Sequence, residues 1–269
     1  MVRLEACPQK FVAPLLACAA LTLASPLSAE QVPVRHTEGL MHGLLALRAL
    51  DGRRLADGDM TQVAKGDRVT SHLVFRFKDG SLYEETTTFT EHDAFRLLTD
   101  HVVERGPSFR EPIDTSLDAS TGQITVRYKN SNGKEEVLNE RLELPADVAN
   151  GLLITLVKDI QPSAPATAVS MVVATPKPRL VKVEIVPQGK EAVMSGNTVH
   201  QAVRYELKVK IGGLVGALAR LVGKQPPDIS VWVLTGLAPA FVKWEGPLYD
   251  GGPIWRVELA PPAEFSAPS

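Results

Sequence analysis

Apolar and polar residues alternate along several stretches of this chain. The longest is 199–211, where Val203, Tyr205, Leu207, Val209 and Ile211 oppose Arg204, Glu206, Lys208 and Lys210. A two-residue period places the two sets on opposite faces of a β-strand, one packed on a core and one facing water. Residues 68–78 repeat the pattern: Val69, Leu73, Phe75 and Phe77 lie on one side, and Arg68, Thr70, His72, Arg76 and Lys78 on the other, with Val74 as the exception. Ile124, Val126 and Tyr128 share a face in 123–129, as do Val181, Val183 and Ile185 in 179–186. Asp79-Gly80 and Asn130-Ser131-Asn132-Gly133 fall between such runs and predict hairpin turns. Gln188-Gly189 and Ser195-Gly196-Asn197 read as further turns. Residues 94–104 are apolar-rich with no clean period, and 229–234 are apolar on both faces, so both faces need cover.

Two stretches depart from this pattern. In 145–160, Val148, Leu152, Leu153, Leu156 and Ile160 recur at helical spacing behind Pro145, which suits a first helical turn. Gly151 opposes that helix by about 1 kcal/mol. Residues 211–223 form a glycine-rich apolar run that would make a helix of roughly 20 Å, too short for a bilayer core of about 30 Å. It reads either as a short core helix capping the sheet, or as a mobile lid or lipid-touching tip. Because the strands are joined by turns, the sheet is expected to be antiparallel. An open twisted sheet with strands on the order of ten or more tends to curl or close. The expected fold is mainly β (α+β): a large curled antiparallel sheet, or unclosed β-barrel, packed on one or two helices, in one domain over 30–269.

The first residues change the setting. Arg3 and Lys10 precede a mostly apolar stretch, and Leu27-Ser28-Ala29 ends in a small residue before Glu30. This reads as a signal peptide over 1–29, cleaved after Ala29, with a periplasmic or secreted destination. The alternative is Leu15-Leu16-Ala17-Cys18 as a lipoprotein box with acylation at Cys18. Both cysteines, Cys7 and Cys18, lie in this leader, so the mature chain is expected to carry no disulfide and no thiolate. A net charge of −2 offers no basic field for nucleic acid.

No arrangement of residues announces catalysis. There is no Gly-x-Ser-x-Gly elbow and no His-Glu-x-x-His. The six histidines are scattered, His92 in a charged turn and His72 and His200 on polar strand faces. Glu84-Glu85 and Glu135-Glu136 read as exposed strand residues. We therefore expect no enzyme, no metal and no cofactor.

The closing pattern Pro227-Asp228-Ile229-Ser230-Val231-Trp232, Glu245-Gly246-Pro247-Leu248 and Gly251-Gly252-Pro253-Ile254-Trp255 has the look of a family signature. With export, many antiparallel strands and a central helix, the chain resembles the periplasmic lipoprotein-carrier type of unclosed β-barrel (LolA/LolB-like) and related exported bacterial families of unknown function. The resemblance implies a curved sheet wrapped on helices around an apolar cavity. The expected function is binding or carriage of a lipid, acyl chain or other apolar small molecule. Its expected lining is Leu152, Leu156, Leu214, Leu218, Leu221, Trp232, Trp244 and Trp255, with a membrane-surface contact through the run from Gly212 to Gly223. The competing expectation is a non-catalytic envelope protein, structural or partner-binding, whose core is filled.

Overall fold

A computed structural model describes residues 31–210 and 226–261, apart from 131, 176, 196 and 197. The strands are β1 (Met41–Ala49), β2 (Arg54–Lys65), β3 (Arg68–Phe77), β4 (Leu82–Glu91), β5 (Phe95–Arg105), β6 (Ile113–Asp118) and β7 (Gln123–Lys129). They continue with β8 (Glu135–Arg141), β9 (Thr167–Val173), β10 (Arg179–Ser195), β11 (Thr198–Lys210), β12 (Ile229–Leu234), β13 (Ala240–Gly246) and β14 (Trp255–Leu259). Between β8 and β9 lies the helix α1 (Leu153–Asp159).

All fourteen strands belong to one sheet, in the order β8-β7-β6-β5-β4-β3-β2-β1-β14-β13-β12-β11-β10-β9. Every pairing between named strands is antiparallel. The chain starts mid-sheet, meanders outward to β8, crosses by way of α1 to the far edge at β9, and meanders back until β14 pairs with β1. A sheet this wide curls under its own twist. Residues of β4–β7 and of β9–β12 face each other across a shared interior, while edges β8 and β9 stay unjoined.

The expected alternation holds on β3, where Val69, Phe75 and Phe77 are buried inside and Arg68, Thr70 and Arg76 are exposed. On β2, Gly58 leaves room for the Phe75 ring across the ladder: a Cβ there would sit 2.4 Å from it. The run 229–234 is covered on both faces: Val231 and Val233 join the main core, while Trp232 packs outside with Val193, Ala202 and Val242. Gln188-Gly189 does not turn the chain. It is a bulge between Pro187 and Gly189 inside the continuous strand β10.

The expected helix over 145–160 is shorter than its pattern. Residues 147–149 follow a turn and bridge to Ser170 on β9, and α1 begins only after Gly151. Asp147 explains the tie, since it accepts a hydrogen bond from Ser170 Oγ at 2.9 Å, with Lys182 Nζ at 3.4 Å. At its other end, α1 is held by Tyr205 Oη donating to the Ile160 carbonyl at 2.6 Å. Asp159 also accepts hydrogen bonds there from the backbone N–H groups of Arg35 and His36. The second expected helix, the apolar run 211–223, lies outside the described residues.

Candidate functional site

The described residues do not completely fill the interior between the facing flanks. Two adjoining lobes, about 240 and 210 Å³, share the lining of Tyr83, Glu85, Gly151, Met171, Val183 and Ile229. One lobe continues along β5 and β6 to the start of β10, taking in Asp100, Glu104, Thr115, Arg179 and Tyr249. The other reaches toward Leu73, Phe75, Leu153, Ile154, Phe241 and Trp244, with Ser71, Thr87 and Thr155 also on its wall. Together they have the character of a ligand pocket, apolar walls with a few convergent polar groups.

The polar groups come from two neighbouring strands. On β4, Tyr83, Glu85 and Thr87 have the inward parity of buried Phe89. On β5, Asp100, Val102 and Glu104 stand directly opposite them: Thr87 pairs with Asp100, Glu85 with Val102 and Tyr83 with Glu104. Thr87 Oγ1 donates to Asp100 Oδ1 at 2.8 Å, and Tyr83 Oη donates to Glu85 Oε2 at 3.1 Å. Glu104 is 8% exposed, and no described residue donates a hydrogen bond to it or forms an ion pair with it.

Burial pushes these carboxyl groups up. Glu104 rises to about 8 through desolvation first and the nearby Glu85 second. Asp100 rises well above its ordinary range for the same two reasons, offset in part by the Thr87 hydroxyl. Glu85 is raised by desolvation, which the Tyr83 hydrogen bond opposes. Tyr83 itself is held well above 10, by burial first and by the neighbouring carboxylates next. Among the described lining residues Arg179 carries the only positive side chain; it is half-exposed and lies 3.7 Å from Asp250. The interior thus combines grease with carboxyl groups that hold their protons readily.

Gly151 sets how closely the helix entry approaches this cluster. Its φ is +68°, and a Cβ would fall 1.9 Å from Thr87 Oγ1 and 2.9 Å from Asp100 Oδ1. The glycine that weakened the sequence case for a helix therefore sits in the turn before it, pressed against the two polar side chains.

Of the eight expected lining residues, Trp244 borders the apolar lobe. Its indole N–H is buried and finds no acceptor among the described residues. Leu152 and Leu156 face the other way, into the packed core with Val157 and Val169. The late start of α1 turns Leu153, Ile154 and Thr155 toward the cavity in their place. Trp232 lies on the outer face, donating to Glu191 at 2.8 Å beneath Lys243, whose Nζ is 3.7 Å from the ring centroid. Trp255 fills an aromatic cluster with Phe77, Phe109 and Tyr249. Leu214, Leu218 and Leu221 lie outside the described residues.

Glu85, Asp100, Glu104 and Tyr83 were not anticipated as site residues. Glu84-Glu85 is a split pair rather than two exposed residues: Glu84 meets His72 on the outer face at 2.8 Å, and Glu85 points inward. His42, His72 and His101 each pair with one carboxylate on the strands, and His92 with Asp93 in its turn. No group of three or more metal-ligating side chains forms among the described residues. Ser170, Lys182 and Asp147 are hydrogen-bonded, but Ser170 has no exposed surface, so a substrate carbonyl cannot reach its hydroxyl.

No protein-family model and no curated protein matches the chain. A crystal structure of a beta-barrel-like protein of domain of unknown function DUF1849 from Brucella abortus aligns at a TM-score of 0.45 and 12% identity. The alignment covers 84% of this chain and 98% of that one. None of these findings places the chain among the lipoprotein carriers.

Proposed function

We propose that this is an exported, non-catalytic protein that binds or carries an apolar ligand, such as a lipid or acyl chain, inside its half-barrel. The observation carrying this reading is the hollow beside α1, bounded by Leu73, Phe75, Ile154, Phe241 and Trp244 and continuous in its lining with the carboxyl lobe. A protein whose interior served only as a scaffold would gain stability by filling that space, since interiors otherwise pack to crystal-like density.

The test uses a neutral, environment-sensitive dye, N-phenyl-1-naphthylamine, with the wild-type chain and a Met171→Trp variant; Met171 borders both lobes. Saturable dye uptake by the wild type, lost or weakened in a folded Met171→Trp variant, is expected. Native mass spectrometry of protein isolated without detergent should also show a co-purifying apolar mass. No uptake and no such mass would sink the reading and leave a structural or partner-binding envelope protein.

A further inference from the structure

The two lobes differ in chemistry, and the difference bears on the head group of the ligand. One end has no carboxyl beyond the shared Glu85 and is walled mainly by Leu73, Phe75, Leu153, Ile154 and Phe241, with Ser71, Thr87 and Thr155 beside them. The other gathers Glu85, Asp100 and Glu104 against aromatic Tyr83 and Tyr249. An enclosed group of three carboxyls is costly unless something pairs with it. Thr87 and Tyr83 supply one hydrogen bond each, to Asp100 and to Glu85. Glu104 receives none from any described residue, although it is 8% exposed and turned into the lobe. Among the described residues its carboxyl is thus left open to a donor or a cation that enters the cavity.

We infer that the cavity takes an amphiphile with a cationic head, a substituted ammonium group, seated among Glu85, Asp100 and Glu104 with its hydrocarbon chain in the adjoining apolar lobe. This deepens the binding reading above and rests on it. An ammonium head compensates the carboxyl charge, and the rings of Tyr83 and Tyr249 suit its alkyl-substituted surface through cation–π attraction. An anionic head, as on a fatty acid, meets three acidic groups. Among the described residues the one cation on the lining, Arg179, stands half-exposed beside Asp250 at the start of β10.

Binding should also depend on pH. The titratable groups that line the same lobe as Glu104 are Tyr83 and Glu85 on β4, Asp100 on its own strand, Tyr249 and Asp250 in the segment before β14, and Arg179 on β10. The carboxyls hold their protons in the empty cavity, Glu104 up to about 8. A permanent cation is therefore bound more tightly as the pH rises and they ionise.

The experiment displaces N-phenyl-1-naphthylamine from the full chain with decyl chains that differ only in head: decyltrimethylammonium, decyl maltoside and decanoate, all below micelle-forming concentrations. Decyltrimethylammonium is expected to displace the dye at roughly tenfold lower concentration than decanoate. That preference should widen between about pH 6 and about pH 9 and shrink in Glu104→Gln and Glu85→Gln. Should either variant fail to fold, the wild-type pH series alone decides. Equal displacement by the three heads, a preference for decanoate, or a preference unchanged by pH would overturn the inference while leaving the binding reading intact. Failure of the dye to bind at all overturns both.

Discussion

Glu104 shows most plainly how a single side chain carries the chemistry of this interior. Its carboxyl is raised from 4.5 to about 8, chiefly by burial. The folded protein therefore holds a proton there that the unfolded chain releases above about pH 4.5. Between those two values the folded state binds more protons, so stability falls as pH climbs from about 4.5 to about 8 and then levels. Replacing the group by an uncharged amide removes that loss. Glu104→Gln is expected to gain about 1–3 kcal/mol over the wild type near pH 9, a rise in Tm of several degrees, and far less near pH 5. Thermal melts across that range check it; a difference independent of pH would mean that Glu104 does not titrate inside the fold. The sequence offered part of this site. Tyr83 and Phe89 are six residues apart on one strand and must share a face, which puts Glu85 and Thr87 between them on the same inward side. That parity was obscured by the polar look of the run from Glu84 to Thr90.

Among the elements, β5 explains why the other two carboxylates were hidden. Counting by twos from Phe95 and Leu97 puts Thr99, His101 and Val103 inside and Asp100 and Glu104 in solvent. A bulge reverses that parity: Thr88 pairs with Thr99 and Phe89 with Leu97, so Leu98 is the extra residue. One extra residue moves every later side chain to the opposite face. It also explains why 94–104 showed no clean period in the sequence. The helix was legible in kind but not in length. Val148, Leu152 and Leu156 do carry helical spacing, but Asp147 and Ser170 tie the first part of the segment to β9 through a turn and one bridge. Gly151 then makes the left-handed turn that starts α1. Gly151→Ala should strain that turn and push Thr87 off Asp100, costing about 2–4 kcal/mol, read as a Tm lower by about 5–10 °C. A melt unchanged by the substitution would show that the turn and the carboxyl pair are not coupled.

At the scale of the molecule, the sequence foretold one curled antiparallel sheet, because its hairpins join neighbouring strands and its strand count exceeds what an open sheet tolerates. The apolar cavity was expected from the resemblance alone; the residue pattern does not say where the flanks leave space, since that depends on how far the curl proceeds before side chains meet. The route of the chain to its destination belongs to the same scale. If the leader is removed as its residues suggest, the mature protein begins at Glu30 and is recovered from the periplasm or the medium. N-terminal sequencing of fractionated protein checks this. A labelled acyl chain on Cys18 would support the anchored alternative instead, and an intact Met1 in the cytosol would remove the exported setting altogether.

The pairing of β14 with β1 has a further consequence. Each half of the sheet pairs strands adjacent in sequence, so each can zip up from comparatively local contacts before the halves meet. Leu45 opposite Leu259 and Ala49 opposite Trp255 join residues from nearly the two ends of the described chain. That seam bears the largest loop-closure entropy in the molecule and can form only after the last strand has arrived. Until then the greasy inner surfaces of two half-shells stand open, which makes the final five-residue strand the clasp on which the whole enclosure waits.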